Sequence, residues 1–381
     1  MEPAVKQPLF HLLNWQPFRI DALGLITLLG ASELDIAIGQ LFFPSTTEFA
    51  PLLAPFIISN NSFTKPIPGV TLYNITDGIV ATDVSGWVVR WLMSRDLGWN
   101  SATLIISVGS FFRVEDRRTQ RKSKCWEATE NVYIAWWAQV LRACKAKMNQ
   151  VLGLIIGTAA MLPIMLMPLL QRDWFGVVNA LALLVTIVTR VLLVRLNREA
   201  ISRSVIEGLR VFDRAREMTK LVVTLPGGKF VTIYCQRGIA IGTLLTAPRP
   251  DRVKYSLVLG VSWIALSCHV VSIGMASLVD QMICVSIIVA STIVFVKMGR
   301  GGRRDTKGGV VYKINDGHGA MSWHLSKEEE DGRSAAYARL RLSEEEERTM
   351  RAWNLFPMKS NEVWWDKYYS RPEHKQNCPG V

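Results

Sequence analysis

The sequence predicts an all-α polytopic integral membrane protein of about six transmembrane helices, with a small cytoplasmic β-hairpin and a cytoplasmic tail. Three observations carry that expectation. Residues 151–170 contain no ionisable group in twenty positions. Residues 255–297 carry only Asp280 and Lys297 as charges in 43 positions. The chain has 44 Lys and Arg against 32 acids, a net charge of +12, and the excess gathers beside those apolar runs.

Residues 1–21 are expected as a cytoplasmic amino terminus and 22–112 as an amino-terminal membrane region. Within it, residues 22–43 have the length of a span but carry Glu33 and Asp35 near the middle. Each acid costs about 2.5–3.5 kcal/mol at a helix centre, and each Leu, Ile or Phe returns about 0.3–0.6. Eleven such apolar residues roughly balance the two acids, so this segment inserts only with help from packing. The return crossing is assigned to residues 98–112, with 78–94 as the alternative.

The next elements are clearer. Residues 151–170, as a helix rising 1.5 Å per residue, reach about 30 Å, the thickness of a bilayer's hydrocarbon core. Pro163 is tolerable there because neighbouring groups re-satisfy the carbonyl it frees. Residues 175–196 form a second span after a turn at Gln171–Trp174. Arg190 falls near its far end, where a long side chain can snorkel to the headgroups. These two spans make a transmembrane hairpin over 151–196. Residues 255–297 make another, with a turn near Ser277–Gln281 and Asp280 in water at its tip.

Charge placement sets the orientation. The loop 113–150 holds nine basic residues against four acids, residues 195–254 twelve against five, and residues 297–313 six against one. Pairs of spans separate these segments, so all three can face the cytoplasm. The loop 44–97 holds three basic residues against four acids and two N-x-Ser/Thr sequons, at Asn60 and Asn74. It is therefore expected on the lumenal or extracellular side, with Asn60 and Asn74 as glycosylation sites. Both termini would then be cytoplasmic, in a eukaryotic secretory-pathway or plasma membrane.

The cytoplasmic segments have internal structure. Residues 127–150 read as a basic amphipathic helix, either in the interface or leading into the next span. Within the basic loop 197–254, Ile201, Val205, Leu209 and Phe212 recur at helical spacing. The run 221–234 has two β-rich arms about Pro226-Gly227-Gly228, a hairpin that needs a partner surface. The tail, 298–381, opens with a basic glycine-rich run suited to anionic lipid headgroups. Ser343 ahead of four glutamates marks a helix start. Trp353, Trp364, Trp365, Tyr368 and Tyr369 then accumulate, either to dock on a membrane or partner or to fold among themselves.

Chemistry is harder to find. The six cysteines (Cys125, Cys144, Cys235, Cys268, Cys284 and Cys378) form no C-x-x-C pair, which argues against a zinc ribbon. None lies in the loop 44–97, which argues against disulfides. Cys378 has a poor prenylation context. There is no G-x-S-x-G, H-E-x-x-H or Walker A motif, so no cofactor and no metal is expected. The basic excess is juxtamembrane and does not imply nucleic acid. What remains are the ionisable groups placed well within predicted spans: Glu33, Asp35 and His269, the weak catalytic candidates. Glu33 and Asp35 are two residues apart and point about 200° away from each other on a helix, so they form no dyad. His269 reads first as a neutral ring bonded to a backbone carbonyl. Gly153-x-x-x-Gly157 permits close contact with a neighbouring helix.

Three function classes follow. The leading one is a non-enzymatic interaction, scaffold or regulatory protein at a membrane, with the bilayer, anionic lipid headgroups and proteins bound by the loops or tail as partners. The others are a membrane-embedded enzyme acting on a lipophilic substrate through the intramembrane acids, and a small transporter.

Overall fold

The computed structural model describes residues 31–42, 45–52, 63–94, 101–108, 127–211, 215, 217–246, 249–300, 312–313, 320–327 and 332–370. In chain order, the helices are α1 (Ala31–Ala37), α2 (Gly86–Ser94), α3 (Glu127–Gln171), α4 (Trp174–Val211) and α5 (Arg237–Ala240). They continue with α6 (Arg252–Met275), α7 (Leu278–Arg300), α8 (Gly332–Arg339), α9 (Glu344–Ala352) and α10 (Glu362–Tyr369). The strands are β1 (Thr71–Asn74), β2 (Ile79–Ala81), β3 (Ser101–Val108), β4 (Met218–Thr224), β5 (Phe230–Gln236), β6 (Tyr312–Lys313) and β7 (Ala320–Lys327). The chain divides into two compact units, one from Met1–Lys65, Ala146–Ala200 and Arg249–Gly301, the other from Pro66–Lys145, Ile201–Pro248 and Gly302–Val381.

The first unit is helical. Among the described residues, four helices are long and apolar enough to cross a membrane: Gln150–Gln171, Trp174–Arg210, Arg252–Met275 and Leu278–Lys297. Their burial is inverted relative to a soluble bundle. Leu162, Ile264 and Val271 are more than 60% exposed, whereas Asn179, Thr186, Arg190 and Asn197 are buried. Those four polar residues are spaced seven, four and seven apart, so they share one face of α4. An apolar sheath around a polar stripe is the arrangement that lipid favours.

The two helical hairpins turn at the same end of this unit. Asp173 in the first turn accepts from the backbone N–H of Ser277 in the second, at 2.6 Å. The basic segments join the helices at the opposite end, and Ile38–Phe42 and residues 45–52 pack there too. A Cβ on Gly153 would lie 2.6 Å from the carbonyl oxygen of Thr46, and one on Gly157 2.5 Å from that of Phe49. The small-residue pair thus admits a turn-rich segment, Ser45–Leu52, where a second helix was expected. Gln40 donates to the carbonyl of Phe295 near the corresponding end of α7, at 3.2 Å.

This geometry corrects the amino-terminal topology. A span over 22–43 with its loop outside would deliver residue 44 to the hairpin-turn end. Instead α1 gives way to a 3-10 turn at Ile38–Phe42, and the following residues lie at the other end. Residues 22–30 lie outside the described residues. Nor is 98–112 a span: Ser101–Val108 is strand β3, parallel to β5 and antiparallel to β7. A short apolar run such as Leu-Ile-Ile suits a strand flanked on both sides as well as a buried helix, and eight residues cannot span as a helix. In the alternative segment 78–94 lie β2 and the nine-residue α2.

The second unit corrects the all-α expectation. Its seven strands form one sheet in the order β2-β1-β4-β5-β3-β7-β6, antiparallel except for the β3–β5 pair. The anticipated hairpin is β4–β5, and Gly227 and Gly228 turn it with φ of 82° and 77°, a region that suits glycine. Strand β1 pairs with β4, Tyr73 opposite Val222. Hydrogen-bonded strands share one aqueous compartment, so 71–74 and 218–224 lie on the same side of any membrane. The sequence had put them on opposite sides.

The tail folds onto this sheet. Ile75, Val222 and Phe230 share a buried core with Tyr337, Phe356, Trp365 and Tyr368. Ser343 caps α9 with a reciprocal pair: its hydroxyl accepts from the Glu346 N–H at 3.2 Å, and the Glu346 carboxylate accepts from the Ser343 N–H at 2.8 Å. Lys220 on β4 reaches Glu346 at 2.7 Å and ties α9 to the sheet. Of the two alternatives for the aromatic run, folding among themselves is the one observed: Tyr368 stacks on Trp364 at 5.4 Å and meets Phe356 edge-on at 5.6 Å.

Candidate functional site

Glu33 and Asp35 lie on α1, and Asp35 is half-buried. His269 lies elsewhere, on α6, and is buried with 5% exposure. Its ring is held by a hydrogen bond to the backbone of Asn179, and Nδ1 has no partner. The ring's hydrogen-bond partner is therefore a backbone group rather than an acid. Of the sequons, Asn60 lies outside the described residues. Asn74 is 6% exposed on β1. Its Nδ2 donates to Asp77 at 2.7 Å, and its Oδ1 accepts from Thr219 at 2.9 Å. These are the bonds a glycan on Nδ2 would have to displace.

Two groups of polar side chains matter more in the first unit than the residues singled out in the sequence. The first is built on α4. Arg190 follows Trp174 by sixteen residues, about 24 Å along the helix axis. Instead of snorkelling it is 2% exposed. One of its terminal nitrogens donates to the carbonyl of Glu48 at 2.9 Å and to that of Ala50. Two turns on, Arg198 donates to the Glu48 carboxylate at 3.0 Å and to the Leu41 carbonyl at 2.7 Å. Irregular backbone at membrane depth survives only where protein satisfies its carbonyls. The two guanidinium groups do that for the carbonyls of Leu41, Glu48 and Ala50, and their planar forks suit several acceptors at once. The eight-residue spacing that puts both arginines on one face was present in the sequence; their backbone acceptors were not.

The second group lies at the hairpin turns. Asp173 accepts from the Phe175 N–H at 3.0 Å, capping α4, and from the Ser277 N–H. Ser277 caps α7: its hydroxyl accepts from the Asp280 N–H at 3.3 Å. The same hydroxyl stands 2.9 Å from Asp280 Oδ2 and 3.0 Å from Gln171 Oε1. Asp280 is 5% exposed, so it is not in water at the tip, as its place near a turn had suggested. The two carboxyl groups are within hydrogen-bonding reach of each other. Gly176 makes room for this: a Cβ there would meet Asp280 Oδ2 at 2.9 Å.

One turn deeper, Asn179 Nδ2 approaches Cys284 Sγ at 3.5 Å, beside His269. The next residues inward on the three helices, Leu183, Leu266 and Ile288, are all buried and apolar. The polar group thus ends about two helical turns in from the hairpin turns. Among the described residues, no three His, Cys, Asp or Glu converge to hold a metal ion directly.

In the second unit, Cys235 on β5 is fully buried and its thiol is pushed up to about 12 by desolvation, the opposite of an activated nucleophile. Arg237 pairs with Asp77 and, at 3.4 Å, with Glu217, linking the end of β5 to the β1–β2 turn.

Four apolar helices with a polar interior fit the class of multi-pass α-helical membrane proteins, here with a seven-stranded α/β unit attached. No family model matches the chain, and no curated protein or solved structure matches it either.

Proposed function

We propose that the chain is a four-span membrane protein that carries its α/β unit on the cytoplasmic face and acts there by binding proteins or anionic lipid rather than by catalysis. The observation that carries this reading is the fate of the charges at membrane depth. Arg190 and Arg198, the latter also paired with the Glu48 carboxylate, are spent on the main-chain carbonyls of Leu41, Glu48 and Ala50. The positive-inside rule supports the sidedness, because the basic segments flank the helix ends away from the hairpin turns. A secretory-pathway or plasma membrane fits the same charge pattern. Met358 (83% exposed) and Val363 (69%) flank the folded aromatic core of the tail and offer an apolar contact.

Capture of the full chain from its own membranes, with cross-linking in mild detergent, tests this. A stoichiometric protein partner lost in the Met358→Asp/Val363→Asp double variant is the expected result. Binding to vesicles containing phosphatidylserine, abolished by high salt, is the result expected of the lipid arm. Turnover of a lipophilic substrate by the purified chain alone overturns the proposal.

A further inference from the structure

The two helical hairpins are tied together at their turns through four side chains. The α3–α4 turn contributes Gln171 and Asp173, the α6–α7 turn Ser277 and Asp280, and all four are buried at 0–7% exposure. Asp173 uses both oxygens as acceptors, Oδ1 for the Phe175 N–H and Oδ2 for the Ser277 N–H. It is therefore suited to carry charge, at the N-terminus of α4. Asp280 has no such set of donors. Its Oδ1 has none, and its Oδ2 faces the Ser277 hydroxyl, which also stands against Gln171 Oε1. Turning the Gln171 amide end for end frees the Ser277 proton for Oδ2 but leaves Oδ1 unmet. The carboxyl groups of Asp280 and Asp173 nonetheless stand within hydrogen-bonding reach of each other. Two ionised carboxylates would offer one another only acceptors. The surrounding ionisable groups do not relieve this. Among the described residues no ion pair joins either carboxylate to a cation. Arg172, beside Asp173, is exposed. Cys284, one turn along α7 from Asp280, is a buried free thiol, and His269 on α6 is bonded to the Asn179 backbone.

A single proton on Asp280 resolves the arrangement. Its O–H donates to the Asp173 carboxylate, the repulsion of two like charges in one buried place disappears, and Asp173 keeps the charge that caps α4. We propose that Asp173 and Asp280 share one proton, and that this proton latches the two hairpins together at the membrane face opposite the basic segments. Its loss sets two carboxylates against each other where little water screens them. The carboxyl bond, the Ser277 N–H bond to Asp173 and the Ser277–Gln171 contact all cross between the hairpins, so they give way together. Because closing takes up a proton, it weakens as pH rises. Acid in the compartment facing the turns closes the latch, and alkali opens it. Which compartment that is rests on the sidedness proposed above; the latch itself does not.

The test is amide hydrogen exchange of the purified full chain in lipid nanodiscs, read by mass spectrometry on peptides covering residues 172–177 and 275–281. Nanodiscs expose both faces, so the result does not depend on sidedness. Rates are corrected for the intrinsic pH dependence of exchange and compared from about pH 5 to about pH 9, above the ordinary carboxyl value. In the native chain, protection of the Phe175 and Ser277 amides should fall by at least about tenfold over that range, since one linked proton shifts an equilibrium up to about tenfold per pH unit. Asp280→Asn puts a permanent N–H donor in place of the shared O–H, so its protection should stay level. Protection at both turns that is independent of pH in the native chain overturns the proposal, and so does an equal fall in Asp280→Asn. Infrared spectroscopy of the native chain gives a second reading even if that variant does not fold. The carbonyl stretch of a protonated carboxyl should fade over the same pH interval, and its absence throughout overturns the proposal.

Discussion

Arg198 and Glu48 form a buried ion pair at 3.0 Å, with side chains 9% and 1% exposed, between residues 150 positions apart in the chain. The pair joins the turn-rich segment 45–52 to α4. Removing one partner of such a pair strands the other charge and costs about 3–5 kcal/mol. Glu48→Gln and Arg198→Gln should each lower the unfolding temperature in detergent markedly. The double variant should be less destabilised than the sum of the two, because neither charge is then left alone. Simple additivity in the cycle would show that the pair is not coupled.

The α3 glycines give a contrast within one fold. Gly153→Ala and Gly157→Ala place a Cβ against backbone carbonyls at 2.6 and 2.5 Å, and backbone cannot swing away. Gly260, on α6, has nothing within 4 Å of the same added atom. Gly260→Ala should be neutral or stabilising by up to about 1 kcal/mol. The α3 variants should instead release residues 45–52, read as faster modification of a cysteine introduced at Phe49.

Sidedness is measurable directly. Cysteines placed at Lys65 and at Pro226, in the β4–β5 turn, should react with a membrane-impermeant maleimide from the same side. A cysteine at Trp174 should react from the opposite side. Labelling of Lys65→Cys and Trp174→Cys from one side would refute the four-span arrangement.

The folded tail should be sensitive to alkali. Burial pushes the Tyr337 hydroxyl up to about 12, from an ordinary value near 10. Below pH about 10 the residue is neutral in both folded and unfolded chains and pH changes nothing. Above that, only the unfolded chain ionises readily, so stability falls until the folded value is passed near pH 12. Cys235, also raised to about 12, starts the decline near pH 9. Tyrosine and tryptophan fluorescence of the sheet unit should report this loss, and Tyr337→Phe should make it shallower between pH 10 and 12.

Tyr368 donates to Glu347 at 2.9 Å while its ring is fully buried. Tyr368→Phe keeps the packing and should cost about 1.5–3 kcal/mol, for a bond to a charged acceptor. Tyr368→Ala should cost more than twice that, by emptying the space among Phe356, Trp364 and Trp365. Equal losses would mean the ring contributes little.

The spans were legible because lipid imposes one strong requirement, a continuous apolar stretch of fixed length, and residues 151–170 and 255–297 meet it without ambiguity. The β4–β5 hairpin and the Ser343 cap were legible for a similar reason, since both are set by residues within a few positions of one another. The sheet was not. Strand β3 draws its hydrogen bonds from β5 and β7, and nothing in Ser101–Val108 names those partners. The candidate site was hidden in the same way. Asp280 looked like a solvated turn residue because Asp173 and Gln171, which enclose it, are more than a hundred positions away. Arg190 looked like a snorkelling residue because its acceptors are main-chain carbonyls, which every sequence has and none distinguishes. His269 alone behaved as its simplest interpretation suggested, bonded to backbone.

The pairing of β3 with β7 sets an order of events during synthesis. Ser101–Val108 leaves the ribosome before all four membrane helices, yet Ala320–Lys327 emerges after them. At about 5–20 residues per second, that flank of β3 waits on the order of ten to forty seconds for its neighbour. The β5 flank waits for the first helical hairpin to insert. A nascent chain stalled after the second hairpin would therefore display an unprotected apolar strand beside the translocation machinery, open to chaperones or to a strand from another copy.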